Sequence, residues 1–208
     1  MKGWIMGFAV LLASPAAAQS DRPQIPSPEE AAARLRECGF DRVDVKYDEG
    51  LEEDVLTLPG IKTASDEQIE CAARVTVDSY YYLNLPEDLQ KRYWQAYAPL
   101  EEEKSREISR KWFEDRGLLD TVPKYDPAEI SDEAFAKELE SFCGDDAKGA
   151  LESEYGPHSI SPAWADTDMS DKDVFERIGA AMVCLLRSGE AAGFTIYLVG
   201  NDKERASK

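Results

Sequence analysis

Between residues 65 and 85, SDEQIECAARVTVDSYYYLNL, apolar positions recur at helical spacing. Ile69, Ala72, Ala73, Thr76 and Tyr80 make one stripe. Cys71, Val75 and Tyr82 make a second, roughly 200° from the first at about 100° per residue. A helix apolar on two sides is buried on two sides, so the pattern predicts a core helix with something tethered at Cys71. Its start is also written in the sequence. Ser65 and Gln68 can cap each other reciprocally, and Asp66 and Glu67 place negative charge in the first turn, where the helix dipole favours it.

The same reading extends along the chain. Ser27, Pro28 and Glu30 start a helix with Ala31, Leu35 and Cys38 on its inner face, ended by Gly39. Val43, Val45 and Tyr47 then alternate with Arg42, Asp44 and Lys46, the period of a half-buried strand. Asp48-Glu49-Gly50 is a turn, and residues 53–58 read as the returning strand, ended by Pro59-Gly60. Asn84 and Pro86 start a helix carrying Leu89, Tyr93, Trp94 and Tyr97, with a kink or break expected at Ala98, before Pro99. Residues 101–117 predict a mostly solvated surface helix. Its Glu102–Arg106 and Glu107–Lys111 pairs are in the favourable order, and its only apolar line is Leu100, Ile108 and Trp112.

In the second half, Asp126 with Pro127 starts a helix whose face is Ile130, Ala134, Phe135, Leu139 and Phe142, closed by Cys143-Gly144. Ser170 caps another, with Val174, Ile178, Ala181, Met182 and Leu185 as its core stripe and Cys184 inside it. A helix ending Cys-Gly, followed later by a capped helix containing Cys, thus occurs twice, although no convincing run of identical residues supports an internal repeat. Residues 194–199, FTIYLV, read as a strand that joins the hairpin, because a lone strand is not stable. The prediction is a mainly helical α+β single domain, with a small antiparallel sheet made of the hairpin plus the C-terminal strand, and two disulfides.

Composition adds where such a domain would reside. Lys2, the apolar run Trp4–Leu12 and Ala16-Ala17-Ala18 have the order of a secretory signal, so residues 1–18 read as removable. The apolar run is too short for a stable membrane anchor. Residues 19–27 read as a flexible lead-in, 28–200 as the folded domain and 201–208 as a polar tail. The 24 basic and 42 acidic side chains give a formal charge of −18, which disfavours nucleic acid and anionic lipid as partners. All four cysteines follow the signal, and disulfides persist in a periplasmic or secreted protein. Four cysteines allow three connectivities. Cys38 and Cys71 lie on helices flanking the hairpin, which brings the chain back and favours their pairing; the parallel between the two halves then favours Cys143 with Cys184. A zinc site is disfavoured, because there is no C-x-x-C pair and a single histidine.

Candidate chemistry is sparse. Tyr80, Tyr81, Tyr82, Tyr93, Trp94 and Tyr97 can either pack a core or line a ligand groove; as ligand-binding candidates we single out Tyr81, Tyr93, Trp94 and Tyr97. His158 lies between prolines, close to Ser159 and Ser161, but without a G-x-S-x-G elbow it reads as an ordinary loop residue. Asp166, Asp168, Asp171 and Asp173 cluster, yet Asp171 stands where a calcium-binding loop needs Gly and Arg177 where it needs Glu. No phosphate-cradling glycine loop or dinucleotide fingerprint is present, and the cysteines are committed. No cofactor and no metal are expected. The expectation is therefore a non-enzymatic exported protein that binds a peptide, a protein or an envelope component. The alternative is an envelope-polymer hydrolase using paired carboxylates.

Overall fold

The computed structural model describes residues 25–165 and 171–198. The expected export signal, most of the lead-in, Asp166, Asp168, Ser170 and the polar tail lie outside them. Helix α1 (Pro28–Glu37) leads into a hairpin of β1 (Asp44–Asp48) and β2 (Glu53–Thr57). Then come α2 (Asp66–Ser79), β3 (Tyr82–Asn84), the long α3 (Glu87–Glu114), α4 (Asp132–Cys143), the single turn α5 (Pro162–Ala165) and α6 (Lys172–Ala192). This is the mainly helical α+β single domain expected, with both disulfides in the favoured pairing: Cys38–Cys71 and Cys143–Cys184, each with Cα atoms 5.7 Å apart.

The helix starts follow their caps. Ser27 and Glu30, and Ser65 and Gln68, form complete capping boxes. Gln68 does a second task, donating through its side chain to the Gly39 carbonyl at 2.9 Å. The C-terminus of α1 is thus held to the start of α2 beside the Cys38–Cys71 bond. The second half differs at α4. Asp126 does not start it; its carboxylate accepts from the Ala128 N–H in a turn, and Ser131 caps the helix, accepting from Ala134. With Asp132 and Glu133 in the first turn, that later start suits the dipole equally well. Helix α6 is capped by Asp171.

The sheet departs from expectation in its third strand. It is mixed, in the order β1-β2-β3, and β3 runs parallel to β2 with Leu56 opposite Leu83. The predicted helix over 65–85 therefore stops early. Tyr80 takes the left-handed conformation at φ 61° and closes α2 by donating to Thr76. Beyond it the periodicity changes from helical to alternating: Leu83 and Leu85 are buried, while Tyr82 and Asn84 are exposed. Helix α2 supplies the crossover that a parallel pair requires.

The C-terminal run does not join this sheet. Gly193 turns the chain back at φ 81°, and Phe194 donates to the Gly189 carbonyl at 2.8 Å. Tyr197 then makes an isolated parallel bridge to Ser159. Phe194 is fully buried against Phe135 and Tyr125, which holds the run in the second half of the molecule, away from the hairpin.

The interior forms two main clusters. The first gathers α1, the sheet, α2 and the N-terminal part of α3 around Leu35, Leu56, Leu83 and Tyr93. The second gathers α4, α6 and the C-terminal run around Phe135, Leu139, Leu185 and Phe194. Helix α3 joins them. It runs without interruption through Pro99. Pro99 and Gln95 both lie on the solvent face, where water can satisfy the Gln95 carbonyl that lacks its usual donor. The later part of α3 is mostly solvated, as expected, but it is anchored by more than the line of Leu100, Ile108 and Trp112. Ser109 and Phe113 are buried, and Phe113 packs with Val122 and Ala191 in a third, small cluster.

Candidate functional site

Three helices meet along a groove of about 640 Å³. Helix α2 contributes Val77 at its end, and Tyr80 follows directly. Because Tyr80 is left-handed, its ring leaves the helix axis and stands 52% exposed. Helix α3 contributes Tyr97, Glu101, Lys104 and Ile108, one face at helical spacing. Helix α6 contributes Val183, Leu186, Arg187 and Glu190, and Ile25 closes one end. Val183 is 47% exposed and Ile25 56%. The floor of the groove is therefore apolar side chains left open to water.

Its polar groups are mostly engaged with one another. Lys104 pairs with Asp78 on α2. Across the α3–α6 seam, the buried Ser109 hydroxyl donates to Glu190, while Arg187 donates to Ser109 at 3.1 Å and to Glu190 at 3.4 Å. Glu101 accepts from the Tyr97 hydroxyl at 3.5 Å. Burial, followed by the Glu101 charge, pushes the Tyr97 phenol up to about 12.

The aromatic candidates divide. Tyr93 is 1% exposed and belongs to the core, so it cannot touch a ligand. Its hydroxyl bonds to Thr76 at 2.8 Å, and burial raises its pKa above the ordinary tyrosine value. Tyr81 is half-buried and donates to the Pro26 carbonyl at 3.1 Å, anchoring the end of the lead-in. Trp94 and Tyr97 do come together, edge to face at 5.1 Å, and Tyr82 approaches Trp94 at 6.2 Å. Trp94 and Tyr82 are 41% and 37% exposed, so these rings extend the groove wall into an open aromatic shelf. The α6 contribution was not singled out from sequence. Val183 lies off the core stripe of an amphipathic helix, and an apolar residue at such a position was the available signal.

Both ring nitrogens of His158 meet acceptors. Nδ1 meets the Thr195 carbonyl at 2.8 Å and Nε2 meets the Asp132 carboxylate at 3.0 Å. The ring stacks on Phe194 with centroids 4.0 Å apart. With both nitrogens occupied by acceptors, neither faces a serine hydroxyl. The residue ties the C-terminal run to the start of α4, a structural role consistent with the loop reading. Tyr125 donates to the same carboxylate. That hydrogen bond, then the one from His158, holds the Asp132 carboxyl below its ordinary range. Glu67 and Asp145 are also shifted down, Glu67 by backbone and Ser65 hydrogen bonds and Asp145 by Lys148. None of these three acids lines the groove.

Among the described residues no group of three or more His, Cys, Asp or Glu is placed to hold a metal ion. Asp166 and Asp168 fall outside that search, and Asp171 serves as the α6 cap. No described helix is long and apolar enough to cross a membrane. Fold and groove together define a disulfide-stapled α+β protein with an open, apolar-floored concavity. Comparison with protein families, with curated proteins and with solved structures finds no match.

Proposed function

We propose that this chain is an exported, non-enzymatic binding protein that takes a segment of another protein or a peptide into the groove between α2, α3 and α6. The observation that carries the reading is the set of apolar side chains left open around one concavity: Ile25, Tyr80 and Val183, each near or above half exposure. Clustered exposed apolar groups are a cost in an isolated protein and mark interaction sites. The adjoining shelf of Trp94 and Tyr82 adds flat rings with polar tips, the residue types that dominate binding energy at interfaces. Export is supported by the signal-like N-terminus and by the commitment of all four cysteines to disulfides.

An envelope-polymer hydrolase requires one of two flanking carboxyls held protonated by a raised pKa. Among the described residues, the acids displaced from their ordinary range, Glu67, Asp132 and Asp145, are shifted down and lie off the groove, so they lend the hydrolase reading no support. The test is a photo-crosslinking amino acid placed at Val183, on the groove, and at Glu49, on the hairpin turn far along the chain. In the exporting cell, position 183 is expected to capture a defined protein or peptide adduct that position 49 does not. Identical adducts from both positions refute the groove as the binding site.

A further inference from the structure

We infer that the groove's occupant is a cationic amphipathic peptide segment, one that sets aliphatic side chains on the groove floor and lysine or arginine along its acidic edge. This rests on the groove being the binding site and adds the chemistry of the partner.

Charge complementarity carries the argument. The two basic groups lining the groove are already neutralised, Lys104 by Asp78 and Arg187 by Glu190. Among the described residues, Glu101 accepts from the Tyr97 phenol alone. It continues into a smaller hollow shared with Glu102, Glu190 and Arg106; with Glu190 already paired to Arg187, Glu101 and Glu102 stand there against the one guanidinium of Arg106. Behind this edge lies a chain of formal charge −18, whose field raises the local concentration of cations and repels anions. An apolar floor beside a net acidic edge fits a ligand that is apolar on one side and positive on the other. A second copy of the chain would bring the same negative charge to the groove and is disfavoured, as is an anionic lipid surface.

The experiment uses the exported chain with its disulfides intact and fluorescein-labelled peptides as probes, read by anisotropy. The probes are an alternating leucine–lysine peptide, a leucine–glutamate counterpart and a serine–lysine counterpart. Leucine–lysine is expected to bind. Its affinity should fall between roughly 0.1 M and roughly 1 M salt, as the screening length shortens from about 10 Å to about 3 Å. Val183→Asp is expected to weaken it about tenfold, the loss of one apolar contact, although the variant adds negative charge. Glu101→Gln with Glu102→Gln should weaken it and flatten the salt dependence. Val183→Ser, a milder change at a half-exposed position, is expected to give the same direction if Val183→Asp melts early.

If leucine–glutamate binds as tightly and remains sensitive to Val183→Asp, the cationic assignment is wrong and the groove stands. If serine–lysine matches leucine–lysine, the attraction is diffuse surface charge and the inference fails. If neither Val183 variant changes any probe's affinity, the groove reading itself fails. A dimer in sedimentation that Val183→Asp disperses would make a second copy the occupant and overturn the inference.

Discussion

Two glycines in one helix make a test of sign. Gly179 and Gly189 both lie inside α6. A Cβ built on Gly179 meets nothing within 4 Å, whereas one built on Gly189 lies 2.6 Å from the Phe194 carbonyl oxygen and 2.9 Å from Ile196 Cδ1. The first obstacle is backbone, and it is fixed in place. Phe194 is fully buried and donates to Gly189 through its own N–H. In an open helical site, Gly→Ala stabilises by up to about 1 kcal/mol through helix propensity. Gly179→Ala should show that gain. Gly189→Ala makes the same propensity gain, set against an overpacking penalty of about 1–3 kcal/mol, with the upper end appropriate where backbone must move. The net is a loss of about 1–2 kcal/mol. The two variants should therefore differ by about 2–3 kcal/mol, or about 4–12 °C in Tm for a chain of this size. Urea unfolding followed by circular dichroism, with disulfides intact, measures the difference. A Gly189→Ala protein at least as stable as Gly179→Ala would refute the close approach of the C-terminal run to α6.

Removing either disulfide by paired Cys→Ser replacement should cost about 4 kcal/mol in the chain-entropy treatment for sequence separations of 33 and 41; denaturant midpoints of the two double variants check this, and non-reducing peptide mapping checks the pairing. Asp132→Asn tests the contact among Tyr125, Asp132 and His158. Because the folded carboxyl is held below its ordinary value of 3.8, its contribution is present above that value and is lost as pH falls through the lower folded value. The variant should be less stable near neutrality and lose less on acidification; parallel stability–pH curves for variant and parent would contradict the lowered carboxyl. Tyr93→Phe should cost about 1 kcal/mol, since Thr76 keeps its bond to Ala72 at 2.9 Å; it should leave binding at the groove unaffected in the peptide assay.

Caps and cysteines were the most legible part of the chain, and the reason is physical. A capping box satisfies helix-end donors with residues three apart, so the whole device lies in a short window. Ser27–Glu30 and Ser65–Gln68 were therefore readable, and so was the disulfide parallel built on Cys-Gly helix ends. Elements defined by distant partners were not. The stretch Tyr80–Leu85 satisfies both a helical stripe and an alternation, and the open edge of β2 decides between them. The run 194–198 has correct strand alternation, with Phe194 and Ile196 buried and Tyr197 exposed. Its partner is set by the Gly193 turn and by the pocket for Phe194 among Phe135 and Tyr125. The site was half legible for the same reason. Aromatic residues flagged Trp94 and Tyr97, but Val183 and Leu186 join them only because α6 crosses α3. Tyr93 has the same side-chain chemistry as its neighbours and is removed from the surface by helix phase alone.

Each disulfide closes within its own part of the chain, and neither spans residues 72–142. Viewed as a covalent graph, the molecule is two rings strung on one thread. A single peptide cleavage between Cys71 and Cys143 leaves two separable pieces, whereas a nick in the β-hairpin leaves the chain in one. The walls of the groove fall on opposite pieces, α2 on one and α6 on the other. No disulfide therefore links one wall of the cavity to the other, and among the described residues it is α3 that packs against both.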